Sequence, residues 1–121
     1  MQVFQYTNIK NNDIMNKDIV LDFIKNFQNE GTIKTFTEGC CYWFAIILCE
    51  RFEMSGSMTS IAFNQITGHF AAVIDGVMYD ITGEIPQSDE WTSWDKWLKN
   101  EPVYGEVVIR DCIYKYKEPQ R

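Results

Sequence analysis

From Cys40 to Cys49 the chain reads Cys-Cys-Tyr-Trp-Phe-Ala-Ile-Ile-Leu-Cys, with no charge, no glycine and no proline. A helix of that composition is apolar on every side, so it must lie inside a fold and not on it. Gly39 to Phe52 is therefore read as a central helix that the rest of the chain packs around. Two cysteines stand at its first turn, where free N–H groups and the positive end of the macrodipole favour an anion. A thiolate is such an anion, which makes a cysteine there a candidate nucleophile. On its own the position has a plainer reading, because cysteine is usually buried and behaves as a small hydrophobe.

With 121 residues, 45% hydrophobic and 15% aromatic, positions 1–121 are expected to form one domain with a single core. The longest uncharged apolar run, Gly39 to Cys49, is well short of the roughly 18 residues that a membrane span needs. Met1 to Lys10 lacks the basic-then-apolar layout of a secretory signal, so the expectation is a cytoplasmic protein with no membrane partner. Seventeen acidic against 11 basic residues give a net charge of −6, without the basic stripe that binds phosphate backbones, so no nucleic-acid partner is expected. Cys40, Cys41 and Cys49 share one helix and cannot readily bridge one another, which favours reduced thiols over a disulfide framework. A metal site would have to use Cys40 or Cys41, Cys49, Cys112 and His69. There is no Cys-x-x-Cys pair and adjacent cysteines chelate one ion poorly, so neither a metal nor another cofactor is expected.

Along the chain, Gln2 to Lys10 has weak strand character. Ile19, Val20, Phe23, Ile24 and Phe27 recur at helical spacing between a capping Asn16 and a terminating Gly31. Thr32 to Phe36 is short and β-branched, a strand or an extended approach, after which Thr37 or Glu38 caps the central helix. Glu53 to Thr59 reads as a loop and Ser60 to Ile66 as a strand. His69 to Ile74 and Val77 to Ile81 flank Asp75-Gly76, a strong hairpin signal that implies a two-residue type I′ turn. Gly83 to Gln87 is a loop around Pro86. Ser88 is expected to cap a short helix with Trp91, Trp94 and Trp97 on a packed face, stopped by Pro102, and Glu106 to Tyr116 alternates as a closing strand. The order implies an α+β fold in which the Cys-bearing helix covers one face of an antiparallel sheet.

The hairpin register brings chemistry into view. With Asp75-Gly76 as the turn, Ala71 faces Asp80 and His69 faces Thr82, so His69 and Asp80 are diagonal neighbours at roughly 7 to 8 Å between backbones. The other face, Phe70, Ala72, Ile74, Val77, Tyr79 and Ile81, is almost wholly apolar, which locks the register. A carboxylate beside an imidazole fixes its tautomer, and an imidazolium beside a cysteine lowers the thiol pKa. With the helix start against that face, Cys41, His69 and Asp80 would assemble as in a thiol protease.

Cys before Trp-Phe-Ala at a helix start, Gly-His-Phe on a strand and Tyr-Asp-Ile-Thr-Gly on the next resemble the papain-like cysteine peptidase superfamily in its compact NlpC/P60-like form. More closely, they resemble small phage and bacterial proteins with Gly-Asn-Cys-Tyr-Tyr-Phe-Ala, His-Phe and Tyr-Asp-Ile-Thr-Gly segments. The resemblance spans roughly Glu38 to Glu84. It implies a compact papain-like fold, Cys41 as nucleophile, His69 as base, Asp80 as orienting acid, and a protein or peptide substrate. Two departures accompany it. Cys40 stands where such relatives often have Asn, which leaves the choice of reactive thiol open. No Gln lies between Gly31 and Cys41 to serve the oxyanion hole, so Thr35, Thr37 or a backbone N–H would have to join the Cys41 N–H there. The function expected is a cysteine-dependent hydrolase or acyltransferase acting on an amide or related acyl bond. The alternative is a non-catalytic papain-like binding module, such as a phage-encoded inhibitor of a host protein.

Overall fold

The computed structural model describes residues 17–114, apart from the side chains of Cys112 and Tyr114. The strand expected over Gln2 to Lys10 and the Asn16 cap lie outside the described residues. Residues 17–27 form α1, with Val20 and Ile24 buried and Phe23 and Phe27 packed beside them. The helix ends before Gly31, because Asn29 starts a second one. The Asn29 side chain accepts the Thr32 N–H (2.9 Å) while the Thr32 hydroxyl accepts the Asn29 N–H (2.8 Å), a reciprocal capping box opening α2, Glu30–Thr37.

Thr32 to Phe36 is thus helical and not extended. β-branched residues cost a helix only a few tenths of a kcal/mol each. That is easily outweighed by the cap and by Phe36, whose buried ring lies 5.9 Å from Phe27 and 5.1 Å from Phe44. Thr37 and Glu38 consequently close α2 and cap nothing downstream. The Thr37 hydroxyl donates to the Ile33 carbonyl (2.7 Å) and the Glu38 N–H to the Lys34 carbonyl (3.0 Å). Gly39, at φ 136, then turns the chain into α3, Cys41–Glu53, whose cap position is Cys40 and which has no side-chain cap.

α3 is the apolar helix expected at the centre. Phe44, Ala45, Leu48, Cys49 and Phe52 are buried, between Val20, Ile24 and Phe36 of the first two helices and Ala72, Ile74 and Tyr79 of the sheet with Ile81 just beyond it. That sheet is antiparallel, with β1 (Thr59–Asn64), β2 (Phe70–Ile74), β3 (Val77–Asp80), β4 (Gly83–Glu84) and β5 (Trp91–Ser93) in the order β4-β3-β2-β1-β5. Ile74 pairs with Val77, Val73 with Met78 and Ala72 with Tyr79. Asp75 and Gly76 take φ 50 and 84, as the two-residue turn demands.

The C-terminal third departs from expectation. Trp91–Ser93 is not helical but pairs with the free edge of β1, Asn64 opposite Trp91 and Ala62 opposite Ser93. The cap is Ser93, five residues later than Ser88, and it opens α4, Trp94–Asn100. Pro102 sits in the first turn of α5, Pro102–Val108, where its missing N–H costs nothing, so it starts a helix instead of only stopping one. Of the strand expected from Glu106 to Tyr116, the described residues 106–114 are the end of α5 followed by a π-helical turn, Ile109–Tyr114, and the rest lies outside the described residues. β5 already occupies that edge of β1. The apolar run Val107-Val108-Ile109 suits a helix as well as a strand, and Val108, Ile109 and buried Ile113 pack around Phe63 and Trp94. The architecture is α+β, with α3 on one face of the sheet.

Candidate active site

His69 stands one residue before β2 and Asp80 is the last residue of β3. The diagonal placement expected from the hairpin closes into a contact, His69 Nε2 to Asp80 Oδ2 at 3.1 Å, with both side chains mostly buried. The other carboxylate oxygen accepts the Thr82 backbone N–H (2.8 Å) and the Thr82 hydroxyl. Thr82 therefore does not lie opposite His69 on an extended strand. The chain bends after Asp80 and Thr82 turns back to hold its carboxylate. Thr82 belongs to the site and was missed as such. Its signal is the Asp-x-Thr spacing, in which a short acidic side chain bonds the backbone two residues on.

Cys41 meets the His69 ring at the end of the sheet, where β2 begins. The helix start was expected against the face that carries His69 and Asp80. α3 instead covers the opposite face, while Ala71 and Met78 of the His69 face pack with Ala62 under Val73, Ile85 and Trp91. His69 bridges the two sides because it precedes the paired part of β2. With Nε2 committed to Asp80, Nδ1 is the nitrogen left to bond the Cys41 sulfur. The Trp91 ring lies edge-on to the imidazole at 6.0 Å, and Tyr42 stands against Phe70 at 5.2 Å, so the pair is walled by aromatics.

Burial works against ionising Cys41, but the hydrogen bond to His69, the Phe70 and Tyr42 N–H groups and the imidazolium charge outweigh it and lower the thiol pKa. The bonds to Asp80 and Cys41 overcome burial at His69 and lift its pKa to about 9. Asp80 is also opposed by burial, and its bonds to His69 and Thr82 hold it below the usual carboxylate range. All three shifts run towards the charged forms, thiolate, imidazolium and carboxylate in a row. Cys40 differs from its neighbour. It is buried in the core cluster with Phe36 and Phe44, and burial, then the adjacent Cys41, raise its pKa.

Residues 20–107 match the phage YunG-like protein family. The chain belongs to that family. Neither a curated protein nor a solved structure matches it. The family match spans Cys41, His69 and Asp80.

Within this YunG-like segment the candidate oxyanion donors separate. The Thr37 hydroxyl is turned to the Ile33 carbonyl. Gln28, the glutamine next upstream, donates its amide to the Ile81 carbonyl at 2.7 Å. Thr35 and the backbone N–H groups at the start of α3 remain as candidate donors, and that first turn has neither a side-chain cap nor an acidic residue to neutralise it. Among the described residues no three His, Cys, Asp or Glu side chains gather where they could hold a metal ion, and no helix is long and apolar enough to cross a membrane.

Proposed function

We propose that the protein is a cysteine-dependent hydrolase or acyltransferase of papain-like type, acting on an amide or related acyl bond of a protein or peptide. The observation that carries this reading is the hydrogen-bonded line from Cys41 through His69 to Asp80, with the thiol pKa lowered at the mouth of an uncapped helix. The Cys41 thiolate attacks the carbonyl carbon, and the tetrahedral oxyanion lies by the Cys41 N–H. The His69 imidazolium passes its proton to the leaving amine as the C–N bond breaks, which leaves a thioester on Cys41. Neutral His69 then takes a proton from water or an acceptor amine as that group attacks, and the thioester breaks to return the thiolate with protonated His69. Asp80, held by Thr82, keeps the ring turned and stabilises its cation.

The second reading, a binding module of the same shape that blocks a partner protein, draws support from Thr37 and Gln28, whose side chains are tied elsewhere. p-Nitrophenyl acetate separates the two. The enzyme reading expects intact-mass spectrometry to show an acetyl group on Cys41 within minutes at pH 7, released with turnover, and both steps slowed in His69→Ala. If Cys41 acylates no faster than a free peptide thiol, the catalytic reading falls.

A further inference from the structure

Asn64 is the buried polar residue of the described core, 6% exposed at the end of β1. Burying an amide is unfavourable unless its groups are bonded, and here they organise one loop. The side-chain oxygen accepts the N–H groups of Ile66 (2.9 Å) and Thr67 (3.0 Å). The backbone carbonyl accepts the Gly68 N–H (2.8 Å), and the backbone N–H donates to the His69 carbonyl (2.8 Å). The four residues from Gln65 to Gly68 are thus wound around Asn64, and their exit is pinned to it at His69. The His69 N–H is held in turn by the Thr67 hydroxyl at 3.3 Å.

We propose that Asn64 is a positioning residue that sets the His69 backbone so that one ring can reach Cys41 and Asp80 together. Both ladders of β2 stop short of His69, at Phe63–Phe70 with β1 and at Ala72–Tyr79 with β3, so the paired residues fix Phe70 and leave the His69 N–H side to the loop. The loop wound on Asn64 supplies the constraint on that side. A displacement of about 1 Å there would break one of the two ring contacts. This role rests on the reading of His69 as the partner of a catalytic thiol, and its test is arranged to stand apart from that reading.

His69 is the chain's single histidine, so a proton–carbon NMR titration of its ring follows one group. The titration uses Cys41→Ala as background, so that no active-site thiol titrates with it. Asn64→Leu keeps the branched shape and removes the acceptor; Asn64→Asp keeps the acceptor. The His69 midpoint is expected to fall by about one pH unit or more in Asn64→Leu, as Asp80 loses its hold, and to stay at or above the background value in Asn64→Asp. An unchanged midpoint in Asn64→Leu, whatever the loss of thermal stability, overturns the proposal. Should that variant not fold, Gly68→Ala strains the same loop at φ +75, with open space around the added methyl, and is expected to lower the midpoint by less. No change there overturns the proposal equally. Slow alkylation of Cys41 in the wild-type chain would remove the enzyme reading and leave the Asn64 result intact.

Discussion

Two thiols on α3, about two turns apart, are driven in opposite directions. At the helix start, Cys41 accepts hydrogen bonds from Phe70 and Tyr42 N–H groups and faces His69, which together outweigh burial. Towards the end, burial pushes the Cys49 thiol up to about 11, with Glu53 and Glu50 adding to the rise, and its S–H donates to the Ser60 carbonyl at 3.4 Å. At Cys41 the donors and the imidazolium win over burial; at Cys49 burial and two carboxylates win over the one hydrogen bond from Thr59. The comparison separates residue type from ionisation: the thiol pKa falls where donors and a cation face the sulfur and rises where burial and carboxylates do.

The sharpest way to break this contrast is alkylation with iodoacetamide at pH 7. A thiol with a pKa of about 11 is ionised there to about one part in ten thousand, so among the three cysteines of α3 and its cap labelling of the native protein should fall on Cys41, and Cys41→Ala should leave Cys40 and Cys49 unlabelled. Peptide mapping that finds Cys49 or Cys40 labelled first would reverse the assignment.

Next in size is the contribution of the imidazole. In His69→Ala the Cys41 thiol loses the partner that most offsets its burial, and its alkylation at pH 7 is expected to slow by about ten- to a hundredfold. The pH profile should move upward towards an ordinary thiol. An unmoved profile would mean that the backbone N–H groups alone lower the pKa.

A smaller effect is expected on stability in Asp80→Asn, about 1–2 kcal/mol read from thermal midpoints. The sign follows from linkage. The raised pKa of His69 stabilises the fold fully below the unfolded value of about 6.5, and that contribution is lost as pH rises through about 9. The lowered pKa of Asp80 contributes above the unfolded value and is lost as pH falls through the folded one. The wild-type advantage should therefore be greatest between about pH 4.5 and 6.5 and fade towards pH 9 and in acid. A difference that stays flat across this range would show that the carboxylate acts by packing alone. Smallest of all, Cys49→Ala should cost about 1 kcal/mol and leave the rate of Cys41 labelling unchanged.

What could be read along the chain was local. The all-apolar run of α3 declared its burial, and Asp75-Gly76 between alternating segments set the turn, the register and with it the approach of His69 to Asp80. The errors cluster where local signals were balanced. Thr32 to Phe36 has the composition of a strand, yet the Asn29 cap and the Phe27 and Phe44 rings make it a helix. Trp91 stands at helical spacing from Trp94, yet the open edge of β1 takes it as a strand. Val107 to Ile113 alternates well enough for a sheet, but with β5 on that edge it turns helical against Phe63 and Trp94.

The three groups of the candidate site were identifiable by residue type and order, because a hairpin register is a short-range property and a helix start is marked by its own residues. Which of two adjacent cysteines faces the imidazole was not, since one residue on a helix turns a side chain by about 100° and only packing fixes which way the helix is rotated. Tertiary structure decided that Cys40 enters the core with Phe36 and Phe44 while Cys41 meets His69. It also decided that α3 covers the sheet face opposite Ala71 and Met78, leaving His69, at the open end of β2, to join its two sides.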